Sequence, residues 1–318
     1  MNTPSSLPED AAFETPNCPI CEGTDCAHFI EGEDDLGGKP GRFTFVTCSE
    51  CGLVYQSPRL TIESIQPYYD EEYIAHRKKA NWGVLTSFYE WAMGKLDREK
   101  MAIVHNSISL DSDKNVLDVG CGAGSFLAIV RDRTGARCSG VDFKDLSGQP
   151  WLKGVNFKCG TLCDQDFGAA KFDLITMWHF LEHDYEPGAT LAKCRDLLAP
   201  GGKLIIEVPR LDSLSFRLFK ERWPGLQAPQ HTMLLDDEHF RTLVEQAGFQ
   251  VEKHVSYGAF PAYFYFFGGL AFKILKGKGL NFNSVIYPYF LGQILTFPIF
   301  MFEKRLNLAM QTIVCGPK

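Results

Sequence analysis

The sequence predicts an α/β fold: a doubly wound, mostly parallel seven-stranded sheet, with a small cysteine-rich module ahead of it and an apolar helical insertion before the last strand. Three observations carry this expectation. Short apolar runs alternate with helical patterns from Val116 to Gly248, as in strand–helix–strand units on a parallel sheet. The run Val116–Val119 holds Asp118 near its end, turns through alternating Gly120, Gly122 and Gly124, and continues from Ser125 to Arg131 as a helix. Two Cys-x-x-Cys pairs, Cys18/Cys21 and Cys48/Cys51, precede that alternation. A chain of 318 residues, 45% apolar and 22% charged, has the length and composition to bury such a sheet and a satellite module.

The glycine turn is the most informative element. Without Cβ atoms the backbone can approach a nucleotide-like ligand closely. The spacing is Asp-x-Gly-x-Gly-x-Gly, distinct from the Gly-x-Gly-x-x-Gly of dinucleotide sites. A second strand, Arg137–Val141, ends in Asp142, placed to accept hydrogen bonds from ribose hydroxyls. A third strand is expected over Val155–Cys159, with Gly160, Thr161 and Leu162 after it, and a fourth over Phe172–Met177. Pro200-Gly201-Gly202 then turns into a fifth strand reaching Val208.

These segments, in this order, resemble the Rossmann-like class I S-adenosylmethionine (SAM) dependent methyltransferases. The resemblance implies SAM as cofactor, held by Asp118, Gly120, Cys121, Gly122, Gly124, Asp142, Thr161, Leu162 and Met177. That family often carries an acid directly after the glycine of the third strand. Here Thr161 stands in that place, with Asp164 as an alternative adenine contact.

Two Cys-x-x-Cys knuckles, each followed by a turn glycine (Gly23, Gly52), suit one structural zinc held by Cys18, Cys21, Cys48 and Cys51. The strand-like Phe43–Val46 and Leu53–Tyr55 around the second knuckle resemble a zinc ribbon, a unit whose core is too small to fold without its metal. Flanking acids at Glu31, Glu33, Asp34 and Asp35 favour docking on the catalytic domain over nucleic-acid binding. The expected division is 1–60 zinc ribbon, 61–110 helical lid or linker, and 111–318 SAM-binding catalytic domain with an insertion over 258–305. The order ribbon, Ser57-Pro58-Arg59, then Tyr68, Tyr69 and Tyr73 resembles a bacterial subgroup with an N-terminal zinc ribbon. That resemblance offers the tyrosines as lid residues; ordinary packing between ribbon and core is the plainer alternative. Val84–Ile108 reads as a helix.

Two histidine segments follow the fourth and fifth strands, where ligands sit in such sheets. His179, Glu182 and His183 fall at helical i, i+3 and i+4 spacing. Three readings stay open: His179 as base or polar contact; a divalent-cation face similar to the Glu-x-x-Glu-His of ubiquinone-pathway O-methyltransferases, with His179 replacing the first Glu; or a helix start. His231, in the excursion after the fifth strand, is the first candidate for a catalytic base, because imidazole takes a proton near neutral pH. Its alternative is to anchor that loop. Asp236–Ala247 reads as a helix capped by Asp236 and stopped by Gly248.

Phe249–Tyr257 and Ala309–Cys315 read as the sixth strand and an antiparallel last strand. The connection between them is long and apolar, Phe260–Ile274 and Val285–Phe302, with Lys273, Lys276 and Lys278 between. Neither segment suits a membrane span. It is read as a lid over a lipophilic acceptor, as a peripheral membrane contact, or as buried packing. A net charge of −7 argues against a nucleic-acid partner. Eleven cysteines without a signal-peptide pattern indicate a reducing, cytoplasmic setting, extended by the insertion to the inner face of the membrane. The functions expected are methyl transfer to a small or lipid-like acceptor, methyl transfer to a nucleotide-linked sugar, or SAM binding without turnover.

Overall fold

The computed structural model describes residues 7, 11–69, 84–276, 278–280, 282–300 and 302–318. Tyr73 lies outside them. The chain begins with β1 (Phe13–Glu14), β2 (Cys26–Gly32), β3 (Phe43–Cys48), β4 (Val54–Gln56) and β5 (Arg59–Leu60), followed by α1 (Ile62–Ile65) and α2 (Val84–His105). The strand–helix alternation then runs β6 (Asn115–Val119), α3 (Ser125–Thr134), β7 (Arg137–Asp142), β8 (Asn156–Cys159), β9 (Phe172–Trp178), α4 (Pro187–Leu197) and β10 (Leu198–Pro209). An excursion with α5 (Leu214–Phe219) and β11 (Met233–Leu234) leads to α6 (Asp237–Gln246) and β12 (Phe249–Val255). Two helices, α7 (Ala262–Leu275) and α8 (Phe282–Phe300), precede β13 (Met310–Pro317).

The main sheet has seven strands in the order β12-β13-β10-β9-β6-β7-β8. β6 pairs in parallel with β7 on one side and β9 on the other, so the chain reverses its winding between β6 and β9. A crevice outside the strand C-termini forms at such a switch point. β13 is antiparallel to both neighbours, with Cys315 opposite Leu204 and Val251. The central parallel strands are largely apolar because helices cover both faces; Leu117, Ile175, Leu204 and Ile206 are fully buried. α6 starts where expected: the Asp236 carboxylate accepts from the His239 N–H at 2.8 Å. Gly248, at φ +89°, ends the turn after it.

A second sheet, ordered β11-β4-β3-β2, joins the cysteine module to the body. β11 comes from the excursion after β10 and pairs Met233 with Tyr55 and Leu234 with Val54. Cys18, Cys48, Leu53 and Tyr55 share one hydrophobic core with Leu117, Met177 and Ile206 of the main sheet. The module is therefore packed into the catalytic body, as the docking reading expects. Sequence reasoning stopped the module at 60; its sheet takes a strand from beyond 230.

Candidate active site

A cavity of about 330 Å³ lies at the C-terminal ends of the parallel strands. Its inner half is walled by Val119, Gly120, Asp142, Thr161, Leu162 and Trp178. Gly120 has φ +71°, and a Cβ there would lie 2.5 Å from Cδ2 of Phe180. Asp142 ties the strand end to the glycine turn: Oδ2 accepts from the Gly122 N–H at 2.8 Å, and Oδ1 from the Lys144 N–H at 3.1 Å. A backbone turn without Cβ atoms beside a carboxylate is a geometry that can receive a nucleoside.

Of the other residues expected at the cofactor, Asp118, Cys121, Gly122, Gly124 and Met177 are not in the cavity lining. Asp118 is buried behind the turn, where Oδ1 accepts from the Thr176 hydroxyl at 2.6 Å; burial raises its carboxyl to about 7. Gly124, at φ +82°, begins α3 and packs against Leu152. Cys121 is buried among α3 and β7 residues, and Met177 is buried in the main core. Thr161 and Leu162 line the cavity, and the Thr161 hydroxyl donates to Asp164 at 2.6 Å. Sequence reasoning missed Lys100, Phe143 and Trp178, which also line it. The signal for Phe143 was its place directly after Asp142.

The histidine segment after β9 is not one face of an α-helix. Only Leu181–His183 form a 3₁₀ turn, and His179 precedes it at φ +56°. That backbone turns the His179 ring between two carboxylates: Nε2 is 3.1 Å from Glu207 Oε1, and Nδ1 is 3.6 Å from Glu182 Oε1. Burial opposes its charge, but the nearby Glu182 and Glu207 carboxylates win and lift its pKa to about 9. His179 is therefore an imidazolium at neutral pH. Glu207 is fully buried on β10 and also accepts the Ala259 and Phe260 N–H groups at the entrance to α7. Its signal in the sequence was one acid inside the apolar run Ile205–Val208.

His231 lines the cavity but is only 3% exposed. Its Nδ1 is 2.8 Å from the Gly225 carbonyl, which places the proton there, and Nε2 is 4.0 Å from Glu182 Oε1. Burial first, then the neighbouring His183, pull its pKa down to about 3, so the ring is neutral. His183 Nδ1 lies 3.0 Å from both the Tyr69 hydroxyl and the Gln230 carbonyl, and burial lowers its pKa as well. Ligand atoms of Glu182, His183 and His231 lie within 4.8 Å of one another, and both Glu182 oxygens are buried without a hydrogen-bond partner. Among the described residues of the histidine segments, Glu182, His183 and His231, in place of His179 with Glu182 and His183, are the set whose ligand atoms lie close enough to share a cation. The module fixes this loop from behind: Gln56 Nε2 donates to the Pro229 and His231 carbonyls, both at 3.3 Å.

The outer half of the cavity is aromatic. Tyr69, Trp223, Phe260, Phe264, Tyr265 and Phe272 line it, so of the three tyrosines proposed for a lid, Tyr69 reaches the cavity. Tyr68 is buried and donates to the Pro40 carbonyl at 2.5 Å. In the module, Cys18 and Cys51 sulfurs are 3.5 Å apart and those of Cys21 and Cys48 3.4 Å, with all four within 4.8 Å. Tetrahedral zinc with bonds of about 2.3 Å sets its sulfurs roughly 3.8 Å apart, so the four residues fit that ion.

A family model described as "Methyltransferase domain" matches residues 88–254. The chain is 29% identical over 149 residues to a ubiquinone biosynthesis O-methyltransferase of Idiomarina loihiensis, covering 44% of this chain and 58% of the relative. It is 34% identical over 113 residues to a Coxiella burnetii protein of the same name, covering 33% and 47%. The chain thus spans about half the length of the curated relatives it matches. The PH0226 protein from Pyrococcus horikoshii shares the fold, with a TM-score of 0.50 at 16% identity over 79% of this chain and 99% of that one.

Proposed function

The chain belongs to the methyltransferase-domain family, and we propose that it is a SAM-dependent methyltransferase acting on a small, lipid-like acceptor. One observation carries this reading: a single cavity joins the Gly120–Asp142 cradle to an aromatic outer half through a cluster of three histidines. The names of two relatives, both ubiquinone biosynthesis O-methyltransferases, support the same acceptor class.

When bound, SAM supplies an electrophilic methyl group on sulfur. The chain's own task is to hold the acceptor in line and exclude water. Aromatic walls do both for an apolar acceptor. A hydroxyl acceptor must also lose a proton. His179 is already protonated, so it serves as a charged hydrogen-bond donor. Neutral His231 has its free Nε2 beside Glu182, a carboxylate that would stabilise the imidazolium formed. We assign the base to His231, and expect His231→Ala to lower kcat about 10²–10⁴-fold with SAM affinity unchanged. A loss below about threefold would return His231 to loop anchoring. A divalent ion found by metal analysis in the wild type and absent from Glu182→Gln would assign the cluster to a cation instead.

We also propose one structural zinc on Cys18, Cys21, Cys48 and Cys51, and a peripheral membrane contact made by the α7–α8 hairpin, which would place the enzyme at the inner face of the membrane. No described helix is long and apolar enough to cross a membrane. Leu291, Ile294, Leu295 and Ile299 on α8 are nonetheless 59–71% exposed, with exposed Lys273, Lys276 and Lys278 nearby. An apolar face flanked by lysines suits an anionic interface. The intact protein should float with vesicles, more so with anionic lipid, and Leu291→Glu with Leu295→Glu should abolish flotation. No flotation of the wild type would remove the membrane contact and leave the rest of the reading standing.

A further inference from the structure

The outer end of the cavity is closed by the cysteine module, through the loop between β2 and β3. Glu33, Asp35 and Leu36 of that loop line the cavity together with Trp223, Leu226 and Phe272. The loop is built as a rigid unit. Asp34 is 2% exposed and its carboxylate accepts the Gly37 N–H at 2.8 Å and the Lys39 N–H at 3.2 Å. The Gly38 N–H reaches the Asp34 carbonyl at 2.7 Å.

Three other parts of the chain grip the same loop. The Leu280 N–H donates to the Leu36 carbonyl at 2.9 Å, which fastens the α7–α8 connection to the loop. A Cβ on Gly38 would lie 2.7 Å from the Gly279 nitrogen, so the two backbones are in direct contact, a closeness glycine permits. From the segment before α2, the Tyr68 hydroxyl bonds the Pro40 carbonyl. From the excursion after β10, the Arg222 guanidinium pairs with both Glu33 and Asp35.

The chemistry of this wall selects its ligand. Leu36, Trp223, Leu226 and Phe272 offer apolar surface. Glu33 and Asp35 share the Arg222 guanidinium, and Glu33 also pairs with Arg42 at 3.3 Å, so the rim is an ion-pair network whose guanidiniums are already engaged by carboxylates. Among the described residues lining the cavity, the cations are Lys100, stacked on Phe126 and Trp178, and His179, held between the Glu207 and Glu182 carboxylates. A phosphate at the outer end would meet the Glu33 and Asp35 carboxylates, and would have to displace them to reach Arg222 or Arg42, so the rim opposes it. A neutral acceptor with an apolar body meets no such penalty.

We infer that the β2–β3 loop of the cysteine module is a specificity element of the acceptor site, with Leu36 packing against the acceptor's apolar end and the Glu33–Asp35–Arg222 rim excluding phosphorylated acceptors. This rests on the methyltransferase reading above. It gives the module a part in recognition as well as in stability, and it separates a lipid-like acceptor from a nucleotide-linked sugar.

The test uses the full-length protein saturated with S-adenosylhomocysteine and two probes, 4-hexylresorcinol (neutral, with an alkyl tail) and thymidine diphosphate. Titration calorimetry should show the phenol binding the wild type and thymidine diphosphate failing to bind. Leu36→Glu should weaken phenol binding at least tenfold, while S-adenosylhomocysteine affinity stays within twofold. Leu36→Ala, which adds no charge to the loop, should weaken it severalfold in the same direction. Unchanged phenol binding in both variants, or no phenol binding to the wild type, would overturn the assignment, and so would tighter binding of thymidine diphosphate than of the phenol. Failure to bind S-adenosylhomocysteine would instead strike the methyltransferase reading itself.

Discussion

Gly120→Val should abolish SAM binding while leaving the protein folded. Gly120 sits at φ +71°, a region where a β-branched residue is an outlier, and its Cβ would fall 2.5 Å from the Phe180 ring. The backbone strain costs of order 1–3 kcal/mol, which a domain of this size can bear. The ring and the new methyls, however, must go somewhere, and the free space beside them is the cofactor half of the cavity. We expect SAM affinity to fall by about 10²-fold or more, since about 2.7 kcal/mol of steric exclusion suffices for that. Calorimetry of SAM binding, with circular dichroism as the folding control, reads both. Normal affinity in a folded variant would detach the glycine turn from the cofactor.

Cys48→Ser should cost both the zinc and much of the activity. Structural zinc contributes about 10–16 kcal/mol of apparent binding free energy in isolated fingers. The module's sheet also includes β11, and Gln56 holds the loop that carries His231. Losing the metal should therefore loosen the histidine cluster as well as the module. We expect no zinc by metal analysis and a fall in Tm of about 5 °C or more, given roughly 2–4 °C per kcal/mol for a chain of this class. Methyl transfer should fall further than SAM affinity, because the cofactor cradle is built by β6 and β7 themselves, whereas the module holds the His231 loop directly. Unchanged Tm and metal content would contradict the four-cysteine site.

The main sheet was legible because its central strands are short apolar runs bounded by turn signals, and Gly120–Gly124 and Pro200–Gly202 mark the two most telling turns. The cofactor cradle was legible for the same reason. Distances across the fold were not. β11 is two residues long, too short for any periodicity, so its pairing with Tyr55 and Val54 left no trace in the sequence. The left-handed backbone of His179 broke the helical spacing that made His179, Glu182 and His183 look like one face. Glu207 was visible only as a misfit acid, and its partner, brought from β9, could not be named. Glu33 was read only as one of the acids flanking the module and Leu36 was not singled out, because the residues that line the cavity with them, Trp223, Leu226 and Phe272, come from far along the chain.

The account stands most directly on where the methyl group goes. Purified protein incubated with methyl-labelled SAM and a cell extract, then partitioned into organic, aqueous and macromolecular fractions, should place protein-dependent label in the organic fraction, and Gly120→Val should remove it. Label confined to the aqueous or macromolecular fractions, or SAM retained without transfer to any of the three, would contradict the lipid-like acceptor proposed here.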